Sequence, residues 1–458
     1  MSEGSTAPRP SMGDRLRGLI AGLRGLNGPG VVAWLRRLPE TIRGLLRLAD
    51  VDTRLLGLVV ALAIIWIGFN IASGGSFLTA RNLWNLSVQS ASIGIMATGM
   101  VLIIVSRNID LSVGSLLGFI GYTMAMAQTV WLPETIGLEH PLTWVIVLVL
   151  GVVLGGLLGG LQGFIVAYGR IPSFIVTLGG LLVFRGLIFQ YAQGQTLAPL
   201  DTTFRLLGGG PSGSLGEVGS WVVGAIACVV IVVGLVLGRR RRSSFGFQVR
   251  PLWAAVILAA AGVAVVLGAV WVANAYPWPE QLAAQYAERN GIPIPAGGLV
   301  IPTGIAYPVL IMIAVAIVMT HLAERRRFGR NVYAIGGNPV AAELSGINTR
   351  RMVMLTFAAM GVLAAVSAAV QTARLNAAVT GLGVQNELDV ISAAVIGGTS
   401  FAGGIGSIPG AVLGAIVMQS LRSGMLLMRV DSPTQDIVVG IVLVAAVGLD
   451  ALLRRRTS

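Results

Sequence analysis

The sequence predicts an all-α, polytopic membrane protein of about twelve spanning helices, within a range of about 10–12. Three observations carry that expectation. Hydrophobic residues make up 55% of the 458 positions and charged residues only 11%, where a water-wetted domain carries about 25%. The apolar residues fall in continuous runs, not in the short alternating segments of a β-barrel. All 32 basic residues are arginine, and they stand mostly between those runs. The net charge of +13 therefore points to a membrane and not to nucleic acid.

The elements follow in order. Residues 1–54 hold nine arginines and read as a basic cytoplasmic segment. Apolar residues at helical spacing over 31–38 and 42–48 suit amphipathic helices lying on lipid, arginines toward anionic headgroups. For residues 1–28 a solvated tail fits equally well. The transmembrane body runs over 55–453, with spans expected near 55–72, 83–105, 111–130, 142–168, 173–192, 219–238, 252–273, 301–321, 352–372, 388–402, 407–427 and 434–453. The tenth is short enough to be re-entrant instead. Residues 454–458 form a short basic tail.

Arginine asymmetry sets the orientation. With the N-terminus inside, the inner segments collect the N-terminal group, Arg107, Arg170, Arg239–Arg242, Arg250, Arg325–Arg327, Arg330, Arg350, Arg351 and Arg454–Arg456. The outer segments hold only Arg81, Arg205, Arg289, Arg374 and Arg429. Both termini are thus expected in the cytoplasm. The loop 274–300 lies outside, with interfacial aromatics in Tyr276-Pro277-Trp278-Pro279; the loop 322–351 lies inside. The lone Cys228 and the separated His140 and His321 offer no disulfide framework, metal site or catalytic cluster.

Four stretches carry mechanism. In 91–118 an apolar helix breaks at Arg107-Asn108-Ile109-Asp110 and restarts through Ser112 and Ser115. Asp110 and Ser112 suit helix caps, so the break reads either as a capped inner turn or as an interrupted helix bordering a hydrated path. In 387–414 a run of glycines around Thr399 and Ser400 permits a second break and close helix approach. The two interrupted stretches hint at a two-fold internal repeat. The inner loop carries the turn Gly336-Gly337-Asn338-Pro339, then a short helix over 339–344 ended by Gly346. Such a helix in a cytoplasmic loop suits docking on a soluble partner. Finally, Gln162, Thr177, Arg185, Gln190, Gln371 and Gln419 lie within spans, where they line a path or bond between helices, and Glu387 and Asp389 sit at an outer mouth. Carboxylates are scarce mid-span, which favours an uncharged, hydroxyl-rich solute over a proton relay. With no lysine in the chain, a Walker A loop is excluded.

These stretches, as GMVLIIVSRNIDLSVGS (99–115), IPSFIVTLGGLLVFRG (171–186), FGRNVYAIGGNPVAAELSGI (328–347) and AAVIGGTSFAGGIGSIPGAVLGA (393–415), resemble the ribose/xylose-type sugar permeases of bacterial ABC importers. The resemblance runs furthest to the xylose-transporting branch; the long basic N-terminal segment departs from it. It implies an ABC-importer permease fold in the inner membrane and a second copy of the chain. It further implies a cytoplasmic tandem-domain ATPase that holds the ATP-Mg, this chain carrying no cofactor, and a periplasmic or tethered sugar-binding protein. D-xylose is the expected solute, ahead of ribose, arabinose or galactose; an ion-coupled secondary transporter is the distant alternative. By the same resemblance the coupling segment comprises Gly329, Arg330, Tyr333, Gly336, Gly337, Asn338, Ala341, Glu343 and Gly346. The translocation path is expected to use Asp110, Ser112, Ser115, Gln162, Thr177, Arg185, Thr399, Ser400, Glu387 and Asp389.

Overall fold

The computed structural model describes residues 53–455 apart from 138, 248, 250, 296 and 297. The basic amphipathic segment expected over 1–54 lies almost wholly outside the described residues. Fifteen helices follow in chain order: α1 (Thr53–Ala72), α2 (Ala80–Val105), α3 (Val113–Ile136, with a π-helical turn at Ala127–Trp131), α4 (Thr143–Gly169), α5 (Ser173–Ala192), α6 (Gly216–Ser244), α7 (Leu252–Asn274) and α8 (Glu280–Asn290). Then come α9 (Tyr307–Arg325), α10 (Arg327–Gly337), α11 (Pro339–Leu344), α12 (Thr349–Leu375), α13 (Asn386–Ile396), α14 (Ile408–Leu427) and α15 (Ser432–Arg455).

Among the described residues, 10 helices are long and apolar enough to cross a membrane. The tenth expected span, 388–402, is instead the 11-residue helix α13. At about 1.5 Å per residue it reaches only about half-way across a hydrocarbon core. Glycine explains both of its ends. Gly383 (φ +73°) and the left-handed Gln385 (φ 64°) turn the chain into it, and Gly398 (φ +93°) turns the chain out. The eighth expected span also starts later than expected: residues 301–306 form isolated bridges at Pro302, Gly304 and Ala306, and α9 begins at Tyr307.

Contacts divide the chain into two compact units. One, in its described part, is Val229–Val263: the second half of α6 and the first half of α7, packed where Gly262 meets the Ile231 side chain. The other comprises Arg54–Cys228 and Ala264–Ser458 and contains the candidate site. Its central rod is α2, 94% buried over its apolar window, whereas the windows of α4 and α5 are only 22% and 17% buried. A rod covered by protein on all sides has no lipid-facing stripe to maintain. For that reason α2 tolerates Ser90, Ser92 and Thr98 in its interior, each hydrogen-bonded.

The closest helix pair is α4 against α12. Gly155, Gly159 and Gly163 recur every fourth residue on α4 and meet the Phe357, Gly361 and Met354 backbone of α12. Small residues at this spacing let two backbones touch, and in lipid such dispersion contact is a main source of helix association. Gly159→Leu is expected to cost about 1–3 kcal/mol or more through forced separation of the pair. The measurement is the thermal midpoint of the purified chain in detergent, against Gly160→Leu, whose added carbon meets only Ala358.

Candidate functional site: a polar cavity and its attached hinge

Between α2, α12, α13 and α14 lies a cavity of about 330 Å³, within the range of small-molecule sites. It sits toward the end of the bundle where α2 begins and α14 ends. Its walls are unusually polar for the interior of an apolar bundle: Gln89 and Ser92 from α2, Gln371 and Arg374 from α12, Asn386 and Asp389 from α13, Gln419 and Arg422 from α14. The half-length helix α13 makes this possible. Starting inside the protein, it points its N-terminal dipole and first-turn acids, Glu387 and Asp389, into the interior rather than toward water.

Two of the charged groups in the wall, Arg422 and Asp389, pair with each other, beside a second cation, Arg374. Arg422 donates to Asp389 Oδ1 from Nε (3.1 Å) and Nη2 (2.9 Å) and stands 3.6 Å from Asp436 of α15. Asp436 in turn accepts from Gln385 Nε2 at 3.0 Å. The network thus ties α13, α14 and α15 together in a wall rich in amide groups, whose charged side chains are Arg374, Arg422 and Asp389. Asn386 Nδ2 donates to Gln371 Oε1 at 3.2 Å, closing a second link across the wall.

Around the first interruption, the sequence-expected residues gather differently. Asp110 is 1% exposed; its Oδ1 accepts from the Ser112 N–H (2.8 Å) and hydroxyl (2.7 Å). Ser112 stands at the cap position of α3 but makes no side-chain capping bond there. Instead its hydroxyl lies between Asp110 and the Gln162 side chain, 3.0 Å away. One hydroxyl proton serves one acceptor at a time, so the Ser112 hydroxyl is shared between Asp110 Oδ1 and Gln162 Oε1. Thr177 donates to Ser173 O (2.9 Å) and lies 3.3 Å from Ile109 O. Ser115 donates to Ser112 O at 2.8 Å. Arg185 donates to Leu382 O (3.0 Å) and Thr380 O (3.3 Å). These groups pin the non-helical segments 106–112 and 376–385 against α4 and α5, with Glu387 set against Gly114.

Of the pathway residues expected from sequence, Asp389 lines the cavity. Asp110, Ser112, Ser115, Gln162, Thr177, Arg185 and Glu387 cluster at the interrupted-helix junction, and Thr399 and Ser400 lie in the turn between α13 and α14. Gln371 and Gln419 reach the cavity, while Gln190 is on the exterior of α5. Gln89, Asn386 and Arg422 were not singled out by the sequence. Their signal was available: amides and an arginine within, or just before, apolar helical runs.

At the other end of α2 is a second constellation. The expected inner loop holds two helices, α10 and α11, separated by Asn338, whose Oδ1 accepts from Ala341 N at 3.1 Å and caps α11. Gly346 ends α11 with φ +83°. Arg330, Gly337, Asn338, Ala341, Glu343 and Gly346 are exposed, as are Val340 (68%) and Leu344 (85%). Val332 and Ile335 are buried and pack α10 onto the bundle. The large apolar residues exposed in this segment, Val340 and Leu344, are those of α11.

The buried side of α10 grips the hinge of the cavity. Arg107, left-handed at φ 64°, donates from Nε to Gly336 O (2.7 Å) and from Nη2 to Gly337 O (3.0 Å). Gly404 N donates to Val105 O at 3.0 Å. Tyr333 Oη donates to Gly406 O at 2.9 Å. Burial first, and then the charge of Glu324, push the Tyr333 phenol up to about 12, so it remains a donor at any physiological pH. Gly329 and Gly336 are buried where a side chain would collide with Ala323 and with Val105 O. One knot therefore joins α10, the end of α2 and the turn 397–407, from which α13 and α14 carry Asp389 and Arg422 to the cavity.

An apolar helical bundle around a polar, solute-sized cavity, with exposed short helices fixed to one end, defines a multi-pass membrane permease. The chain belongs to the family described as "Branched-chain amino acid transport system / permease component", whose model matches residues 82–252 and 215–447. It is 36% identical over 410 residues to the xylose transport system permease protein XylH of Haemophilus influenzae, covering 90% of this chain and 99% of that one. To XylH of Escherichia coli K12 it is 37% identical over 417 residues, 91% and 96% of the two chains. To the ribose import permease protein RbsC of Bacillus subtilis it is 31% identical over 375 residues, 82% and 86%. No solved structure matches the chain. As a permease component the chain conducts solute and is not itself an enzyme.

Proposed function

We propose that this chain is the transmembrane subunit of an ATP-driven importer for a neutral monosaccharide, D-xylose, in the inner membrane. It works as a homodimer embedded in lipid, with a separate cytoplasmic tandem-domain ATPase that binds the ATP-Mg and a sugar-binding protein on the outer face. Two xylose permeases among its relatives support the solute, and the absence of lysine supports a separate ATPase.

The observation that carries the reading is the cavity. Its amides, Arg374 and the Asp389 carboxylate present donors and acceptors suited to hydroxyl groups, and Arg422 is already paired with Asp389 and stands beside Asp436. A branched-chain amino acid, the solute in the family's description, brings a carboxylate, an ammonium and an apolar side chain. Its ammonium would find one carboxylate in the wall, Asp389, already held by Arg422, whereas a neutral polyol fits beside that pair. Asp110 and Glu387, set back at the junction, shape the floor of the path.

The arginine distribution supports an inner face at the α10–α11 end, with Arg107, Arg170, Arg325–Arg327, Arg330, Arg350 and Arg351 there and both termini cytoplasmic. The ATPase docks on α11 and on Arg330 and Glu343. Its closure shifts α10, and the knot passes the displacement to α13 and α14, so that the cavity opens alternately to the two sides.

The test is D-xylose uptake by vesicles holding the chain with its ATPase and binding protein. Glu343→Arg is expected to lower uptake at least about tenfold, equivalent to about 1.4 kcal/mol or more of lost docking energy, with membrane level unchanged. Undiminished uptake removes α11 from the docking site, and uptake by the chain alone on an ion gradient restores the secondary-transporter reading.

A further inference from the structure

A larger recess lies outside the cavity, at the end of the chain remote from α10 and α11. It holds about 750 Å³ between helix α8 and the segment 211–218. The recess is built, not incidental. Backbone bonds stitch its floor: Leu215 N to Ile305 O (3.0 Å), Trp278 N to Ile301 O (2.8 Å) and Thr303 N to Tyr276 O (3.0 Å). Helix α8 presses Ala283 and Ala287, 1% and 0% exposed, onto this floor. Its neighbouring face, at i, i+3, i+4 and i+7, is Leu282, Gln285, Tyr286 and Arg289, and that face looks into the recess.

The lining chemistry is specific. Trp278 and Tyr286 meet edge to face with centroids 5.5 Å apart and planes at 70°, making an apolar corner. The indole N–H of Trp278 is buried and has no acceptor among the described residues. Gln285 and Arg289 on one wall and Glu217 on the other supply planar donors and acceptors. Flat apolar surface beside facing planar polar groups matches a pyranose, which has C–H faces and an equatorial rim of hydroxyls. A protein partner would call for a continuous apolar patch with a polar rim; here the polar groups face one another across a concavity.

We propose that this recess is a second carbohydrate site, an outer station where a neutral sugar is held near the cavity of the bundle. The inference rests on the sugar-importer reading above for the class of ligand. Tyr286 and Trp278 take the apolar face of the ring, while Gln285, Arg289 and Glu217 bond its hydroxyls.

The full chain in lipid nanodiscs, without any binding protein, is titrated with D-xylose and followed by saturation-transfer NMR. Tyr286→Ala and Gln285→Ala are each expected to weaken one of the observed binding phases about tenfold, the scale of a lost aromatic or charge-assisted contact. Either change leaving the binding curve untouched overturns the station. So does a fall in affinity for the sugar-loaded binding protein with sugar binding intact, which makes the face a protein-docking surface. D-xylose uptake by the assembled native importer is measured alongside. Its absence strikes the choice of substrate, whereas normal uptake with an unaltered Tyr286→Ala titration strikes the outer station alone.

Discussion

Arg107→Gly is expected to separate ATP hydrolysis from sugar movement. Arg107 is left-handed at φ 64°, so glycine keeps the backbone turn and removes only the side chain. That side chain makes two charged hydrogen bonds to the carbonyls of Gly336 and Gly337. Hydrogen bonds to charged groups contribute about 1.5–3 kcal/mol each, so losing this pair frees α10 from the end of α2. The ATPase still docks, because α11 and its exposed Glu343 are untouched. Sugar transported per ATP is expected to fall about tenfold or more, with ATPase turnover retained. Tyr333→Phe, which removes only the bond to Gly406 O, is expected to lower the same ratio by a smaller factor of about 2–5. Proportional loss of ATPase activity and transport in both variants rules out transmission through the knot.

Arg422→Ala is expected to abolish most uptake and to lower stability. Removing one partner of a buried ion pair costs about 3–5 kcal/mol. The Arg422 side chain is 22% exposed against 6% for Asp389, so the lower part of that range applies. The variant leaves Asp389 charged and without its donor in the cavity wall, and releases α13 from α14 and α15. Arg422→Gln combined with Asp389→Asn retains the shape and removes the charge. It is expected to recover stability to within about 1 kcal/mol of the native chain, yet to transport poorly if the Asp389 carboxylate accepts sugar hydroxyls as proposed. Thermal unfolding and vesicle uptake measured on the three chains decide between a purely structural pair and one that also contacts solute. Full uptake by the double variant assigns the pair to structure alone.

The elements read from local sequence are those whose signal is local. Length and hydropathy place α1, α2, α4, α5 and α7 within a few residues of expectation, because the transfer of a helix into hydrocarbon sums over its own side chains. The short helix α11 was likewise legible, from proline at its start and Gly346 after it. Helix α10 was not, since its Gly336-Gly337 end reads as a turn and only packing against Val105 and Gly404 holds it helical. The half-helix α13 was visible as a doubtful span, but the reason for its shortness, turns at Gly383 and Gln385 made against α3, lies in contacts far apart in the chain.

The sequence by itself determined that this protein is a bundle of apolar helices with most of its arginines in alternate connecting segments, and that small polar residues interrupt two of its runs. Tertiary structure alone decided where the polar residues meet: Arg422 on Asp389, and Arg107 on a carbonyl 229 residues away. Hydropathy accumulates residue by residue along the chain and needs no partner. A hydrogen bond across the bundle exists only once two backbones have come within contact distance, and glycine, which permits that approach, does not say which neighbour it will admit.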